Sequence, residues 1–274
     1  MEDTYCIHDQ GRFVGVFDGH GGAGVSTYLS SSMYEKVERH LERVSSSPSS
    51  PSIKEITKSL LSALNEIEDE VLQKDDFQYQ GSTAVAVYVH EDPRTGERTI
   101  ISANVGDSRA VLSRGSVAVT LTRDHKPDDT DEKKRILSMG ETIEWDSYCN
   151  VSRVRNLSLS RAIGDRFAKP VVSAEPEIKF FPLSELPVEE GHDRNDFVVL
   201  ASDGLWDVMT SQNCVNFVMD RLTPSKQQIK HMSPSELERQ TSTRRKRMSR
   251  DLADEAIRRG SCDNVCVVIL WLNS

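Results

Sequence analysis

The spacing of hydrophobic and polar positions changes several times along the chain, and each change marks an element. From Ile53 to Gln73 the apolar residues Ile53, Ile56, Leu60, Leu61, Leu64, Ile67 and Val71 recur every three or four positions, which predicts an amphipathic helix. Ala23 to Val44 carries a mixed helical pattern, and the Ser- and Pro-rich run Ser45 to Ser52 reads as a loop. Strand-length apolar runs bounded by turn residues occur at Thr4 to Ile7, Phe13 to Phe17, Ser82 to Val89, Arg98 to Val105, Arg109 to Leu112 and Val117 to Leu121. Two more occur at Asp196 to Ala201, entered from the loop Pro187 to Asn195, and at Asn264 to Leu272. The turns Pro93-Arg94-Thr95-Gly96, Gly106-Asp107 and Arg114-Gly115 are short, so the strands they join should pair antiparallel.

Shorter helices are predicted at Asp129 to Met139, Ser211 to Leu222 and Leu252 to Arg259. Glu141 to Pro176 reads as an irregular, loop-rich surface, and Thr223 to Arg250 as a polar and mobile insert within a single domain over residues 1–274. Helix pairs separated by runs of strands predict an α+β layered domain rather than a doubly wound nucleotide-binding fold.

Composition narrows the function classes. A chain of 274 residues can bury a sizeable core. Lys+Arg 34 against Asp+Glu 43 leaves a net charge of −9, which argues against nucleic acid as a partner. The five cysteines, Cys6, Cys149, Cys214, Cys262 and Cys266, are odd in number, form no C-x-x-C pair and follow no leader-like segment. That usage predicts reduced thiols in a cytoplasmic or nuclear protein, with Cys262 read as a buried inert thiol. The longest apolar run, Val265 to Leu272, is far short of the about 20 residues a membrane helix needs, so no membrane span is expected.

The chemistry collects at strand ends. Asp18 follows the strand Phe13 to Phe17 in a glycine-rich turn, Val16-Phe17-Asp18-Gly19-His20-Gly21-Gly22. Asp203 follows the strand ending at Ala201, Asp263 precedes the last strand, Glu2 precedes the first, and Asp107 sits at a hairpin turn. The end of one antiparallel strand lies beside the start of its neighbour, so these five acids converge at one rim if their strands are neighbours. Carboxylates gathered so closely repel unless cations neutralise them, and an all-oxygen donor set favours Mg²⁺ or Mn²⁺ over zinc. A dinuclear site of that kind suits phosphoester hydrolysis. His125 and the aromatics Trp206 and Trp271 read as structural, and Arg244 to Arg247 as a solvated loop with Ser249 beside it.

These residues together resemble the metal-dependent protein serine/threonine phosphatases of type 2C. The resemblance runs in order through Met1-Glu2-Asp3, Phe17-Asp18-Gly19-His20-Gly21-Gly22, Gly81-Ser82-Thr83-Ala84 and Ala103-Asn104-Val105-Gly106-Asp107-Ser108-Arg109. It continues through Asp124-His125-Lys126-Pro127, Leu159-Ser160-Arg161-Ala162-Ile163-Gly164-Asp165, Ala201-Ser202-Asp203-Gly204-Leu205-Trp206-Asp207 and Asp263-Asn264-Val265. It implies a four-layer α-β-β-α sandwich, two packed antiparallel sheets flanked by helix pairs, with two Mg²⁺ or Mn²⁺ ions at one end.

By that resemblance Asp18 bridges the ions, Glu2 and the Gly19 carbonyl serve one, Asp203 and Asp263 serve the other, and Asp107 matches a ligand of a looser third ion. His20 matches the proposed general acid, and a metal-bridging hydroxide attacks phosphorus directly, with Asp18 and His20 at the catalytic centre. Glu141 to Leu157 falls where the family carries a substrate-facing flap. Phosphorylated proteins are the implied partners, and a monomer is expected.

The chain opens at Met1 of its first motif, whereas family members carry a strand and a phosphate-gripping arginine ahead of it. Met139-Gly140-Glu141 also departs from the family's paired glycines. Two other readings stay open at this point. One is a catalytically weak relative that binds phosphoproteins, and the other is a dinuclear hydrolase of small phosphoesters or nucleotides.

Overall fold

The computed structural model describes residues 1–45, 51–186, 196–222 and 232–272. The chain runs β1 (Thr4–His8), β2 (Phe13–Phe17), β3 (Gly19–His20), α1 (Gly24–Val44), α2 (Ile53–Leu72), β4 (Gly81–Ser82), β5 (Ala84–Glu91), β6 (Arg98–Val105), β7 (Arg109–Arg114) and β8 (Val117–Thr120). It continues with α3 (Thr130–Ser138), β9 (Glu144–Asp146), β10 (Val151–Arg153), β11 (Ile163–Gly164), β12 (Glu177–Pro182) and β13 (Phe197–Ala201). The short α4 (Asp203–Trp206), α5 (Ser211–Leu222), α6 (Pro234–Arg258) and β14 (Val267–Trp271) complete it.

Two antiparallel sheets form the centre, one ordered β1-β2-β5-β6-β12 and the other β14-β13-β7-β8. Period-two alternation decides which side chain enters which layer. On the inner faces, Val14, Val16, Val85, Val87 and Ile100 of the first sheet meet Ala110, Leu112, Val198, Leu200 and Val268 of the second. On the outer face of the first sheet, Phe13, Phe17, Ala84, Ala86 and Ile101 pack on Leu29, Met33 and Val37 of α1 and on Ile56, Leu60 and Leu64 of α2. Phe197, Val199 and Ala201 do the same on the second sheet against Val215 and Val218 of α5 and Met248 and Leu252 of α6. The layers are therefore helix pair, sheet, sheet, helix pair, as the expected α+β sandwich requires.

Three local expectations change. Residues 234–250 of the polar insert are not loop, because α6 starts at Pro234. Ser233 caps it, accepting from the Glu236 amide while the Glu236 carboxylate takes the Ser233 N–H. Its basic run is tied down: Arg244 donates to the Arg221 and Leu222 carbonyls at the end of α5, and Arg245 lies over the Trp271 ring at 5.0 Å. Residues 223–231 of the insert, the loop 187–195 and residues 46–50 lie outside the described residues. Glu141 to Pro176 is more ordered than expected, holding the β9–β10 hairpin and β11, and β12 follows at the edge of the first sheet. Cys262 is exposed rather than buried. No helix among the described residues is long and apolar enough to cross a membrane.

Candidate active site

Antiparallel pairing places the acids. Thr4 of β1 faces Phe17 of β2, so Glu2 and Asp18 leave the first sheet side by side. Ala201 of β13 faces both Arg109 of β7 and Val267 of β14, so Asp107, Asp203 and Asp263 leave the second sheet at one end. Because the sheets pack face to face, the two groups meet. Glu2, Asp18, Gly19, His20, Asp107, Asp203 and Asp263, every residue singled out from sequence, line one cavity of about 240 Å³, together with Thr83, Arg153, Leu157, Ser158 and Leu159.

The loops into this cavity are fastened to each other. Glu2 donates its amide to the Asn264 side chain at 2.8 Å, while Ser26 of α1 donates to the Glu2 carbonyl at 2.5 Å. The Asp18 amide donates to Thr83 Oγ1 at 3.0 Å, and Thr83 Oγ1 lies 2.7 Å from Ser108 Oγ beside Asp107. The Asp107 carboxylate is almost fully buried and accepts from Lys126 Nζ, which also lies 3.7 Å from Asp203.

Burial and mutual repulsion dominate the electrostatics. Burial pushes the Asp18 carboxyl up to about 10, with the charges of Asp203, Asp3 and Asp107 adding to it. Asp203 rises to about 7 through burial and the charge of Asp107, partly offset by the Lys126 ammonium. Asp3, beside Glu2, is 8% exposed, and burial raises its carboxyl, with the Ser202 and Asp18 side chains beside it acting the other way.

His20 has a partner that the sequence reading missed. A three-stranded sheet ordered β11-β4-β3 sets His20 opposite Gly81, and Gly81 opposite Gly164. Asp165, just after β11, is fully buried in a left-handed conformation (φ 51°), with Oδ2 2.7 Å from His20 Nε2. A Cβ on Gly81 would overlap both atoms, so only glycine fits between them. Burial alone would lower the His20 pKa, but the Asp165 carboxylate, with Asp107 and Glu2 behind it, raises it. In the sequence, Asp165 closes the motif Leu159 to Asp165 directly after Gly164, and that glycine-acid pair is its one signal.

His125 is structural, as expected. It is fully buried, accepts the Gly106 N–H on Nδ1 at 3.1 Å, and burial drives its pKa down to about 3. Trp206 donates Nε1–H to the Ala201 carbonyl at 2.9 Å, and Trp271 packs on Phe197. Behind the site, Glu132 of α3 is buried and binds Arg161 at 2.5 and 3.0 Å, Arg135 at 2.8 Å and Ser160 Oγ at 2.8 Å. That cluster anchors the segment that runs from Leu159 of the cavity wall to Asp165.

The chain is similar to known proteins. The chain is 36% identical over 94% of its length to "Probable protein phosphatase 2C 69" of Arabidopsis thaliana, and it covers 61% of that protein. It is 35% identical along its whole length to "Probable protein phosphatase 2C 59" of the same plant, covering 76% of it. Among solved structures, a C. elegans sex determining protein superposes with a TM-score of 0.76 at 26% identity, over 99% of this chain and 61% of that one. The family model described as protein phosphatase 2C matches residues 7–265, a span that contains every acid lining the cavity except Glu2, and the chain belongs to that family.

Proposed function

We propose that this chain hydrolyses phosphoserine and phosphothreonine in proteins at the acidic cavity, with divalent cations held there. The carrying observation is that acids from five separate strand ends and one histidine, read as a set from sequence, line a single cavity. Cations suit the residues present. The donors are hard oxygens, and Asp18 and Asp203 keep a charge only against burial and strong repulsion. Among the described residues no three candidate ligands already close around one point, and Lys126 holds positive charge at Asp107 and Asp203.

Asp18, Glu2, the Gly19 carbonyl, Asp203 and Asp263 would hold two Mg²⁺ or Mn²⁺ ions, and Asp107 a third. Such ions neutralise the carboxylates, activate water at neutral pH and offset charge on the phosphoryl oxygens. The protein's own groups supply the rest. Asp165 accepts His20 Nε2–H, fixing the ring and favouring its protonated form, and Nδ1–H is then the proton available to a leaving serine or threonine oxygen. Leu157 and Leu159 give the cavity one apolar wall.

The discriminating experiment compares turnover of a phosphothreonine peptide with that of a nucleotide, each with Mn²⁺ and with EDTA. Peptide turnover that EDTA abolishes, with little nucleotide turnover, supports the reading. Preferred hydrolysis of the nucleotide refutes it.

A further inference from the structure

Every acid described above repels a phosphate, so the question is which group on the protein attracts one. Arg153 is the only lysine or arginine among the residues lining the cavity. It ends β10, and the chain then reverses through Val154 to Leu157, which exchange both backbone hydrogen bonds at 2.9 Å. Arg155 and Asn156 at the tip of this reversal have φ of 51° and 66°, the left-handed pair that a two-residue turn demands. The turn brings Leu157 and Arg153 to the same cavity wall.

The guanidinium is held in place. Nε donates to Asp146 Oδ2 at 2.8 Å across the β9–β10 hairpin, and Nη1 donates to the Asn156 carbonyl at 3.1 Å. The Cys149 side chain also approaches the guanidinium, and the Arg153 side chain keeps 30% of its surface exposed. A guanidinium held by its neighbours yet still partly exposed at the cavity is pre-organised for a phosphate oxygen. Arg153 also lines a second cavity, with Glu141, Thr142, Glu144, Arg155 and Asn156, so it stands where the acidic cavity opens onto the neighbouring surface.

We propose that Arg153 is the phosphate-binding residue of this site, gripping the phosphoryl oxygens of the substrate at the cavity mouth while Asp146 positions its guanidinium. This rests on the phosphatase reading, and it extends that reading by naming the cationic group that selects a phosphomonoester dianion.

The test measures KM and kcat for a phosphothreonine peptide with Mn²⁺, and binding of inorganic phosphate by calorimetry in the same buffer. Arg153→Ala should raise KM and weaken phosphate binding on the order of 10- to 100-fold, with kcat changed less. Arg153→Lys should recover part of both losses, since charge returns without the fork. Asp146→Asn should give a smaller rise in KM, and Arg94→Ala, on an exposed turn between β5 and β6, should change neither quantity.

Unaltered phosphate affinity and KM in folded Arg153→Ala overturns the proposal, as does wild-type protein that binds no phosphate. If wild type binds phosphate through Arg153 yet turns over no phosphopeptide, the phosphatase reading fails while this assignment holds.

Discussion

Glu132 gives the sharpest link between stability and the site. Its carboxylate is 1% exposed and takes bonds from Arg161, Arg135 and Ser160. Burial alone would raise its pKa, but the two guanidinium groups and the hydroxyl bring it from 4.5 down to about 2. The folded value lies below the unfolded one, so the stabilisation is fully present above pH 4.5 and is lost as pH falls through about 2. It amounts to roughly 3 kcal/mol at neutral pH. Glu132→Gln keeps the shape and some hydrogen bonds but leaves Arg161 and Arg135 facing no charge, for which a loss of about 3 kcal/mol is expected.

Urea unfolding at pH 7, followed by tryptophan fluorescence, should show that loss as a lower midpoint at unchanged slope. Repeated at lower pH, the gap between wild type and variant should narrow as the wild-type carboxylate protonates. The segment anchored by Glu132 leads to Asp165, so phosphatase activity should fall at temperatures below global unfolding. A difference under about 1 kcal/mol at pH 7, or a gap that stays constant down to acid pH, would refute the argument.

Two further predictions follow from the buried groups. Gly81→Ala should drive Asp165 and His20 apart, cutting turnover of a phosphothreonine peptide about 100-fold while sparing an aryl phosphate whose leaving group needs no proton; equal losses on both substrates would contradict the role given to His20. His125 is held neutral, with a folded pKa of about 3 against 6.5 unfolded, so its contribution is intact above pH 6.5 and lost as pH falls. Wild type should therefore lose about 1.4 kcal/mol per pH unit below pH 6.5 from this group, and His125→Gln, measured by urea unfolding between pH 7 and 5, should lack that slope.

The sequence was most informative where burial imposes a period. Phe13 to Phe17 is apolar throughout because both faces of β2 are covered, and α2 shows its stripe because one face packs on the first sheet. The acids were legible for a related reason: antiparallel strands bring chain-distant ends together, here from two sheets rather than one. β12 was missed because it is an edge strand, half-buried along most of its length and ending in Pro182. α6 was half missed because Met248, Leu252 and Ala256 are its only buried side chains, a stripe too narrow to outweigh the arginines. The capping box Ser233 to Glu236, with Pro234 as first residue, fixes its start, a signal that the reading of this stretch as a polar insert left unused. The contact of Asp165 with His20 and the place of Arg153 were not legible, because β3, β4 and β11 are two residues each and the reversal at 154–157 depends on left-handed residues, which no hydrophobic pattern encodes.

The central claim is that the acidic rim works by holding cations for phosphoester hydrolysis. Its most direct test is phosphate release from a phosphothreonine peptide as Mn²⁺ is titrated into metal-free wild type and Asp203→Asn, with Mn²⁺ binding followed in parallel by calorimetry. Asp203 lines the cavity and carries a carboxyl raised by burial and then by its acidic neighbours. Activity should rise with Mn²⁺ occupancy in wild type, and the variant should bind Mn²⁺ more weakly and release phosphate far more slowly. Phosphate release that persists in EDTA, or a variant with wild-type Mn²⁺ affinity and rate, would contradict it.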